Sequence, residues 1–332
     1  MEHLETVAAG FFENSLAVST RNNYRSVYKQ YKRFCKFHSL PRFPLAQHVI
    51  VLFCTFLATR HPKPLSYKAI KSYLSAIRFH AIRRGLDGSF HGMDRLYYVL
   101  RGIKRSQGNQ FNRPPRSPIT KNHLTLLHNF VVLMPIPLHD RRLYWSAFTL
   151  AFFGLLRVSE YTCPRIRMFN HQVHLTLHDI KFTADIVQVH IKASKNDPFR
   201  AGCTIKIASS LDMFCPVQAL RSFLRSRNDV NGPLFSFQDG TYLTRSRLVS
   251  VLRSCLKDVN LNTHSFRIGG ATALAAAGVS DARIQVLGQW NSNCFVKYIR
   301  VLDTDISRLA PIMSNTEVDD TCWSPRFEKL FK

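Results

Sequence analysis

The sequence predicts a mainly helical protein with one small antiparallel sheet, divided into two domains. In the first half, four segments carry apolar residues that recur every three or four positions, which is typical of amphipathic helices. The second half mixes such segments with alternating patterns that are typical of strands. A polar stretch rich in proline and arginine, from Arg105 to Thr120, separates the two halves and has no periodicity.

The first half is predicted to form a helical domain over residues 15–105. Its first helix begins at Ser19, a residue type that favours the N-cap position. The apolar face of this helix consists of Tyr24, Val27, Tyr28, Tyr31, Phe34 and Cys35. Three more helices are expected over residues 46–60, 66–85 and 93–104, and basic residues occupy their outer faces.

Residues 106–119 are expected to be a linker between the domains. Residues 120–310 are expected to form a second domain with helices at 120–133, 140–156, 216–226, 243–257, 264–277, 281–287 and 292–300. Between them, residues 174–208 alternate like strands, with "SKNDPFRAG" as a hairpin turn. Residues 311–332 are expected to be a C-terminal tail.

The charge of the chain indicates a polyanionic partner. The sequence has 46 Lys and Arg against 21 Asp and Glu, a net charge of +25. After Arg300 there are 6 acidic and 4 basic residues, so residues 1–300 carry 42 basic and 15 acidic residues, net +27. A body this positive repels itself unless something neutralises it, and we expect that partner to be a nucleic acid. The alternatives are a protein that is basic without such a partner and one that binds anionic lipid.

Other classes of protein are disfavoured by the sequence. No apolar run reaches the length of a membrane span, and we expect no signal peptide, which predicts an intracellular protein that is nuclear if the host is eukaryotic. The eight cysteines form no CxxC pair and are expected to be reduced thiols. The fourteen histidines form no zinc pattern with them, so we expect neither a metal nor a cofactor.

Five residues in the second half together suit phosphoryl transfer to a protein nucleophile. His264 and Arg267 lie three apart at the start of a predicted helix and share one face. Arg157, a lysine on the hairpin and Tyr298 complete the set. Guanidinium groups neutralise charge in the transition state, histidine transfers protons, lysine protonates the leaving oxygen, and tyrosine attacks phosphorus.

Three segments, "GLLRVSE", "HSFRIGGATALAAAGVS" and "LGQWNSNCFVKYIR", together resemble the tyrosine recombinases of the phage-integrase superfamily. The resemblance covers the chain from about Ser15 to Arg300. The segments "GLLRVSEYTCP", "SKNDPF" and "GQW…YIR" are most similar to recombinases of eukaryotic mobile elements, the DIRS-like and Crypton-like groups. The resemblance implies a SAM-like helical core-binding domain followed by an α+β catalytic domain. By position, the resemblance assigns the catalytic set Arg157, Lys195, His264, Arg267, Trp290 and Tyr298, with Glu160 as the acidic residue that supports the first arginine.

The chain departs from the family pattern at two positions. The family usually has a histidine or tryptophan nine residues before the tyrosine, where Gln289 stands, and Trp290 is one residue late. Ile268 stands where many members have a histidine. The choice of lysine is also open, and we favour Lys195 in the polar turn over Lys192, which we expect within a strand.

The resemblance implies site-specific DNA cleavage and rejoining through a 3′-phosphotyrosyl link, without metal, for integration or excision of a mobile element. The alternatives are a domesticated, non-catalytic DNA-binding protein and a relaxing topoisomerase of the same chemistry. The expected partners are double-stranded DNA and further copies of the chain, four on two paired sites. Expected DNA contacts are Arg21, Arg25, Lys29, Lys68, Lys71, Arg113 and Arg116, and the tail is expected either to be frayed or to dock on a neighbouring copy.

Overall fold

The computed structural model describes residues 1–112, 114–165, 168–194, 197, 199–227, 231–300 and 311. The chain forms two compact units, Met1–Arg113 and Pro114–Lys332. The division between them falls within the polar stretch that precedes Lys121. The predicted tail, together with Arg113 and Lys195, lies outside the described residues apart from Pro311.

The described part of the first unit contains five helices. They are α1 (Glu2–Asn14), α2 (Val18–Phe37), α3 (Gln47–Thr59), α4 (Tyr67–Ile82) and α5 (Asp94–Gln107). Their apolar faces meet in one core whose members come from α2, α3 and α4, with Leu96 from α5. Tyr31 and Phe53 meet edge-on at the centre of this core, at a ring-centroid distance of 5.1 Å.

Helix α1 precedes the predicted start of the helical domain at residue 15. It buries no residue and is attached through its last turn, where Phe12 stacks on Phe79 of α4 at 4.9 Å. Glu13 also pairs with Arg83 at 2.7 Å. Because both partners are distant in the sequence, no local pattern marks this helix as part of the unit.

The expected N-cap at Ser19 is wrong. Helix α2 begins at Val18, its N-cap residue is Ala17, and no side chain caps it. Ser19 therefore lies inside the first turn. The preference of serine for N-cap positions is a local signal only, and here the helix begins one residue before Ser19.

The second unit is built around α7 (Leu138–Phe153), whose residues from Leu143 to Phe152 are nearly all buried. A helix that is apolar all round belongs in the middle of a core. Around it lie α6 (Lys121–Leu133), α8 (Val158–Tyr161), α9 (Pro216–Arg225), α10 (Arg245–Leu256), α11 (His264–Ala276) and α12 (Asp281–Leu287). Two 3₁₀ helices, Leu177–Asp179 and Asn293–Lys297, complete the described helices, and the second replaces the helix expected over 292–300.

The three strands are β1 (Ile180–Phe182), β2 (Ile186–Ile191) and β3 (Cys203–Ala208), antiparallel and in sequence order. In the register, Val187 lies opposite Ile207 and Val189 opposite Ile205. These four side chains are buried against the core, while the alternate positions face outward. The predicted fold class, mainly helical with one small antiparallel sheet, is confirmed.

Candidate active site

Helix α11 brings His264 and Arg267 to the centre of the second unit. It can approach its neighbours closely because residues 269 and 270 are both glycine. A Cβ on Gly269 would overlap the carbonyl oxygen of Ile119, and a Cβ on Gly270 would overlap that of Phe152. The amide of Ile119 donates to the carbonyl oxygen of Ser265 at 2.9 Å, which joins the segment before α6 to the first turn of α11.

We expect Gly269→Ala to destabilise the protein by about 1–3 kcal/mol, because the added methyl group must displace the backbone at Ile119. A cost of this size lowers the melting temperature by several degrees in thermal unfolding. Gly102→Ala is the matched control, since Gly102 lies in α5 with open space around it and no positive φ. A Gly269→Ala protein with an unchanged melting temperature would contradict this close packing of α11.

Arg267 is almost fully buried, with 1% of its surface exposed. Its two terminal nitrogens donate to backbone carbonyls, Nη1 to Leu155 and Nη2 to Gly288. Its Nε has no partner among the described residues. Burial and the nearby charge of Arg157 lower the pKa of Arg267 to about 10, so it stays charged at neutral pH.

Trp290 lies against the guanidinium of Arg267, whose Cζ is 4.0 Å from the ring centroid. The turn that places Trp290 depends on the two residues before it. A side chain on Gly288 would overlap the indole ring, and Gln289 adopts a positive φ of 53°. The indole Nε1 is buried and has no partner among the described residues.

Tyr298 directly follows the 3₁₀ helix Asn293–Lys297. Its ring contacts the side chains of His264, Arg267 and Trp290. Its ring centroid lies 4.9 Å from that of His264 and 5.1 Å from that of Trp290. The Cζ of Arg267 lies 5.6 Å from the Tyr298 ring. The structure therefore brings together four residues that are up to 34 positions apart in the sequence.

Arg157 stands at the N-cap of α8 and pairs with Glu160. The Nη1 of Arg157 donates to Glu160 Oε1 at 2.9 Å, and the Arg157 amide donates to Oε2 at 2.7 Å. Ser194 adds a third member, since its Oγ accepts from Arg157 Nη1 at 2.8 Å and donates to Glu160 Oε1 at 2.8 Å. The Arg157 side chain keeps 12% of its surface exposed, whereas the Glu160 side chain keeps 1%.

His264 is neutral at neutral pH because its surroundings disfavour a proton. Burial and the charges of Arg116, Arg267 and Arg157 lower its pKa to about 4, well below the ordinary 6.5 of histidine. A bound anion would offset these positive charges and raise the pKa again. The neutral imidazole is the form that can accept a proton.

Of the two lysines that are candidates for proton donor, the structure describes Lys192. Lys192 was expected within a strand, but β2 ends at Ile191 and Lys192 is the next residue. Its Nζ lies 2.6 Å from Asp179 Oδ2, and Asp179 also accepts from the Thr176 amide at 2.7 Å. Lys195 lies outside the described residues.

The other predicted DNA contacts fall on both units. On α2 and α4, Arg25, Lys29, Lys68 and Lys71 are exposed, whereas Arg21 is half-buried and donates to Asn14 Oδ1 at 3.4 Å. In the second unit, Arg116 is exposed. Among the described residues, no group of three histidine, cysteine, aspartate or glutamate side chains is arranged to hold a metal ion. No helix in the described part of the chain is long and apolar enough to cross a membrane.

Sequence reasoning missed several contributors to this site. Ser194, Thr272, Arg245 and Arg300 are not in the predicted set, although Ser194 bonds Arg157 and the charge of Arg245 lowers the pKa of His264. Ser194 directly precedes Lys195 and Arg300 lies two residues after Tyr298, so proximity in the sequence is the one signal for them. Nothing in the sequence pattern singles out Thr272 or Arg245.

No protein-family model matches this chain, and no curated protein matches it in sequence. Solved structures are similar to it. The Tn1549 transposon integrase in complex with circular intermediate DNA has a TM-score of 0.56 at 13% identity, covering 89% of this chain and 94% of that one. The same integrase with transposon right end DNA has a TM-score of 0.55 at 16% identity, covering 88% and 94%. XerH site-specific recombinase on palindromic difH substrate, in a post-cleavage complex, has a TM-score of 0.52 at 15% identity, covering 81% and 70%.

The fold is that of the tyrosine recombinases. The expected architecture is confirmed, with a helical N-terminal domain before an α+β domain of the tyrosine-recombinase type. The structural neighbours support the recombinase resemblance at the level of the fold. They do not distinguish the DIRS-like and Crypton-like groups from other members.

Proposed function

We propose that this protein is a site-specific DNA recombinase that cuts and rejoins DNA strands through a 3′-phosphotyrosyl intermediate. The observation that carries the proposal is the contact of the Tyr298 ring with both His264 and Arg267. A tyrosine whose ring lies against a neutral imidazole and a buried guanidinium has near it the groups that attack on a phosphodiester needs.

The proposed step is a transesterification at phosphorus. The Tyr298 oxygen forms a bond to phosphorus, the bond from phosphorus to the 5′-oxygen breaks, and the DNA keeps its 3′ link to the phosphorus. The phenolic proton leaves to His264, and the departing 5′-oxygen takes up a proton to become a hydroxyl. Rejoining is the reverse, with a 5′-hydroxyl as nucleophile.

Two arginines and Trp290 would stabilise the charge that develops on the non-bridging oxygens. Arg157 is the most accessible of the three, and Glu160 and Ser194 fix its Nη1. Arg267 Nε and Trp290 Nε1 are buried donors without partners in the described structure, which a phosphate oxygen could satisfy. Because both are covered, phosphate binding requires the side chains over them to shift.

We propose Lys195 as the proton donor to the 5′-oxygen. The alternative, Lys192, is held by Asp179 at 2.6 Å, and its side chain is 18% exposed. An ammonium fixed in an ion pair is poorly placed to follow a leaving group, which supports the choice of Lys195.

The charge of the body supports DNA as the substrate. A protein surface that contacts on the order of ten DNA phosphates gives a slope of about −9 when the logarithm of the binding constant is plotted against the logarithm of the salt concentration. We expect this slope in a fluorescence titration, and a decrease of about 1 in its magnitude for Lys29→Ala or Lys71→Ala. A wild-type slope shallower than about −3 would show that the basic surfaces do not wrap DNA.

The test of the proposed function begins with a duplex that the protein selects from a random library. A series of versions of that duplex is then made, each with a single nick, and the nick moves by one nucleotide from one version to the next. Cleavage close to a nick releases a short fragment, and the covalent adduct stays trapped because the strand that would rejoin has been lost. We expect an SDS-resistant adduct at one nick position, with EDTA present. Tight binding without an adduct at any position would instead support the non-catalytic DNA-binding alternative.

We further propose that the reaction serves integration or excision of a mobile element, with four copies of the chain on two paired sites. The support is the similarity in fold to a transposon integrase, together with the resemblance of "GLLRVSEYTCP", "SKNDPF" and "GQW…YIR" to eukaryotic mobile-element recombinases. A two-site plasmid tests this use, since recombination between the sites deletes or inverts the intervening DNA. A protein that forms the adduct but only relaxes supercoils would support the topoisomerase alternative.

A further inference from the structure

The backbone around Tyr298 is held by side chains rather than by a regular helix. Three successive carbonyls, at residues 297, 298 and 299, each accept a hydrogen bond from a side chain. Arg300 Nη1 donates to Lys297 O at 2.7 Å and to Ile299 O at 3.3 Å. The Thr272 hydroxyl donates to Tyr298 O at 3.3 Å.

Thr272 lies on α11, five residues after Arg267, and is 7% exposed. Its hydroxyl also accepts from the Arg300 amide at 3.2 Å, so it bonds both the carbonyl of Tyr298 and the amide two residues later. Helix α11 thereby carries the arginine, the histidine and an anchor for the tyrosine backbone.

Arg300 extends the same network to a second element. Its Nη2 donates to the carbonyl oxygen of Arg116 at 3.1 Å. The Arg116 segment is itself joined to α11 through the bond from the Ile119 amide to Ser265 O. One guanidinium thus joins the end of the 3₁₀ helix to the segment that leads into α6. Arginine side chains near a helix C-terminus are suited to this because the last carbonyls lack backbone partners.

We propose that Arg300 and Thr272 are positioning residues that fix the backbone of Tyr298 and so hold its hydroxyl at the phosphate. This inference rests on the proposed function for the role of Tyr298. Neither residue contacts the reacting atoms in the described geometry; they act through three carbonyls and one amide. Misplacement of a reacting group by about 1 Å can slow a reaction on the order of 100-fold.

The competing role for Arg300 is a phosphate contact made through its charge. The variant Arg300→Lys separates the two roles. It keeps the charge, but an ammonium lacks the planar fork that donates to the carbonyls of Lys297, Ile299 and Arg116. Lys297→Ala is the matched control, because it removes a neighbouring exposed charge and leaves the Lys297 carbonyl in place. For the threonine, Thr272→Val removes the hydroxyl at similar volume, and Thr272→Ser retains it.

The first measurement is backbone amide exchange of residues 295–300 in the free protein, which requires no activity. In Arg300→Lys and Thr272→Val we expect exchange in this segment to quicken on the order of tenfold, with only a small decrease in the melting temperature. Lys297→Ala and Thr272→Ser should exchange like the wild type. Unchanged exchange in both Arg300→Lys and Thr272→Val would overturn the positioning role, whatever the protein does to DNA.

The second measurement is the single-turnover rate of adduct formation on the nicked duplex. We expect Arg300→Lys and Thr272→Val each to be slower by about 10- to 100-fold at unchanged DNA affinity. The double variant should be less slow than the product of the two effects, because both act on one segment. Wild-type rates in Arg300→Lys would overturn the inference, whereas absence of an adduct in the wild type would count against the proposed function alone.

Discussion

Replacement of Tyr298 by phenylalanine is expected to abolish the covalent adduct with DNA. The substitution removes one hydroxyl and leaves the ring contacts with His264 and Trp290 in place. Because phosphate contacts dominate the affinity for DNA, the dissociation constant should change by no more than about threefold. Adduct formation on the nicked duplex and a binding titration on the same duplex measure the two quantities.

Tyr242→Phe is the matched control for this prediction. Tyr242 lies in the same unit, and its ring contacts Phe169 at 5.9 Å rather than the residues of the site. The control protein should form the adduct at the wild-type rate. An adduct that persists in Tyr298→Phe would remove Tyr298 from the role of nucleophile.

Replacement of Arg267 is expected to have the second largest effect. Arg267→Ala removes a buried charge beside the nucleophile, and the loss of one such donor slows cleavage by at least about 100-fold. It also leaves the carbonyls of Leu155 and Gly288 without the donors that they have in the folded chain. We therefore expect a lower melting temperature together with the slower single-turnover rate.

Arg267→Lys separates these two effects. Lysine keeps a positive charge but cannot donate to both carbonyls while lying flat against Trp290. We expect a smaller loss of stability than in Arg267→Ala but cleavage that is still at least about tenfold slower than wild type. Arg283→Ala is the control, since Arg283 is an exposed arginine on α12. Cleavage within a few-fold of wild type in Arg267→Ala would exclude Arg267 from the reaction.

Much of the fold followed from local patterns. The limits of α6, α9 and α10 agree with their apolar periodicity to within two residues, because amphipathic faces of that length are strong signals. The alternating stretch over 174–208 contains all three strands, and the inward side chains of β2 and β3 alternate as expected, although Leu177–Asp179 within it is a 3₁₀ helix. Helix α1 could not be found, because its attachment depends on Phe79 and Arg83, which are far away in the sequence.

The candidate site shows the same division. The order of Arg157, His264, Arg267 and Tyr298 was readable as a motif, and the structure places the last three in contact. The groups that fix these side chains in position could not be predicted from the sequence. The partners of Arg267 are backbone carbonyls, and a carbonyl is present at every residue, so no residue type reports that Leu155 and Gly288 fill this role.

The position of Trp290 lies between these two cases. The sequence offered Gln289 at the family spacing and Trp290 one residue later. The positive φ of Gln289 and the absence of a side chain at Gly288 turn the chain so that the indole packs on Arg267. Such a turn depends on tertiary packing, which is why spacing alone left the choice open.

The most direct test of the central claim is to identify the residue that carries DNA in the trapped adduct. The adduct is digested with a protease and a nuclease, and the peptide that bears a nucleotide remnant is sequenced by mass spectrometry. We expect the remnant on Tyr298, linked through a phosphodiester to the 3′ end of the cut strand. A remnant on any other residue, or a link to the 5′ end, would contradict the account.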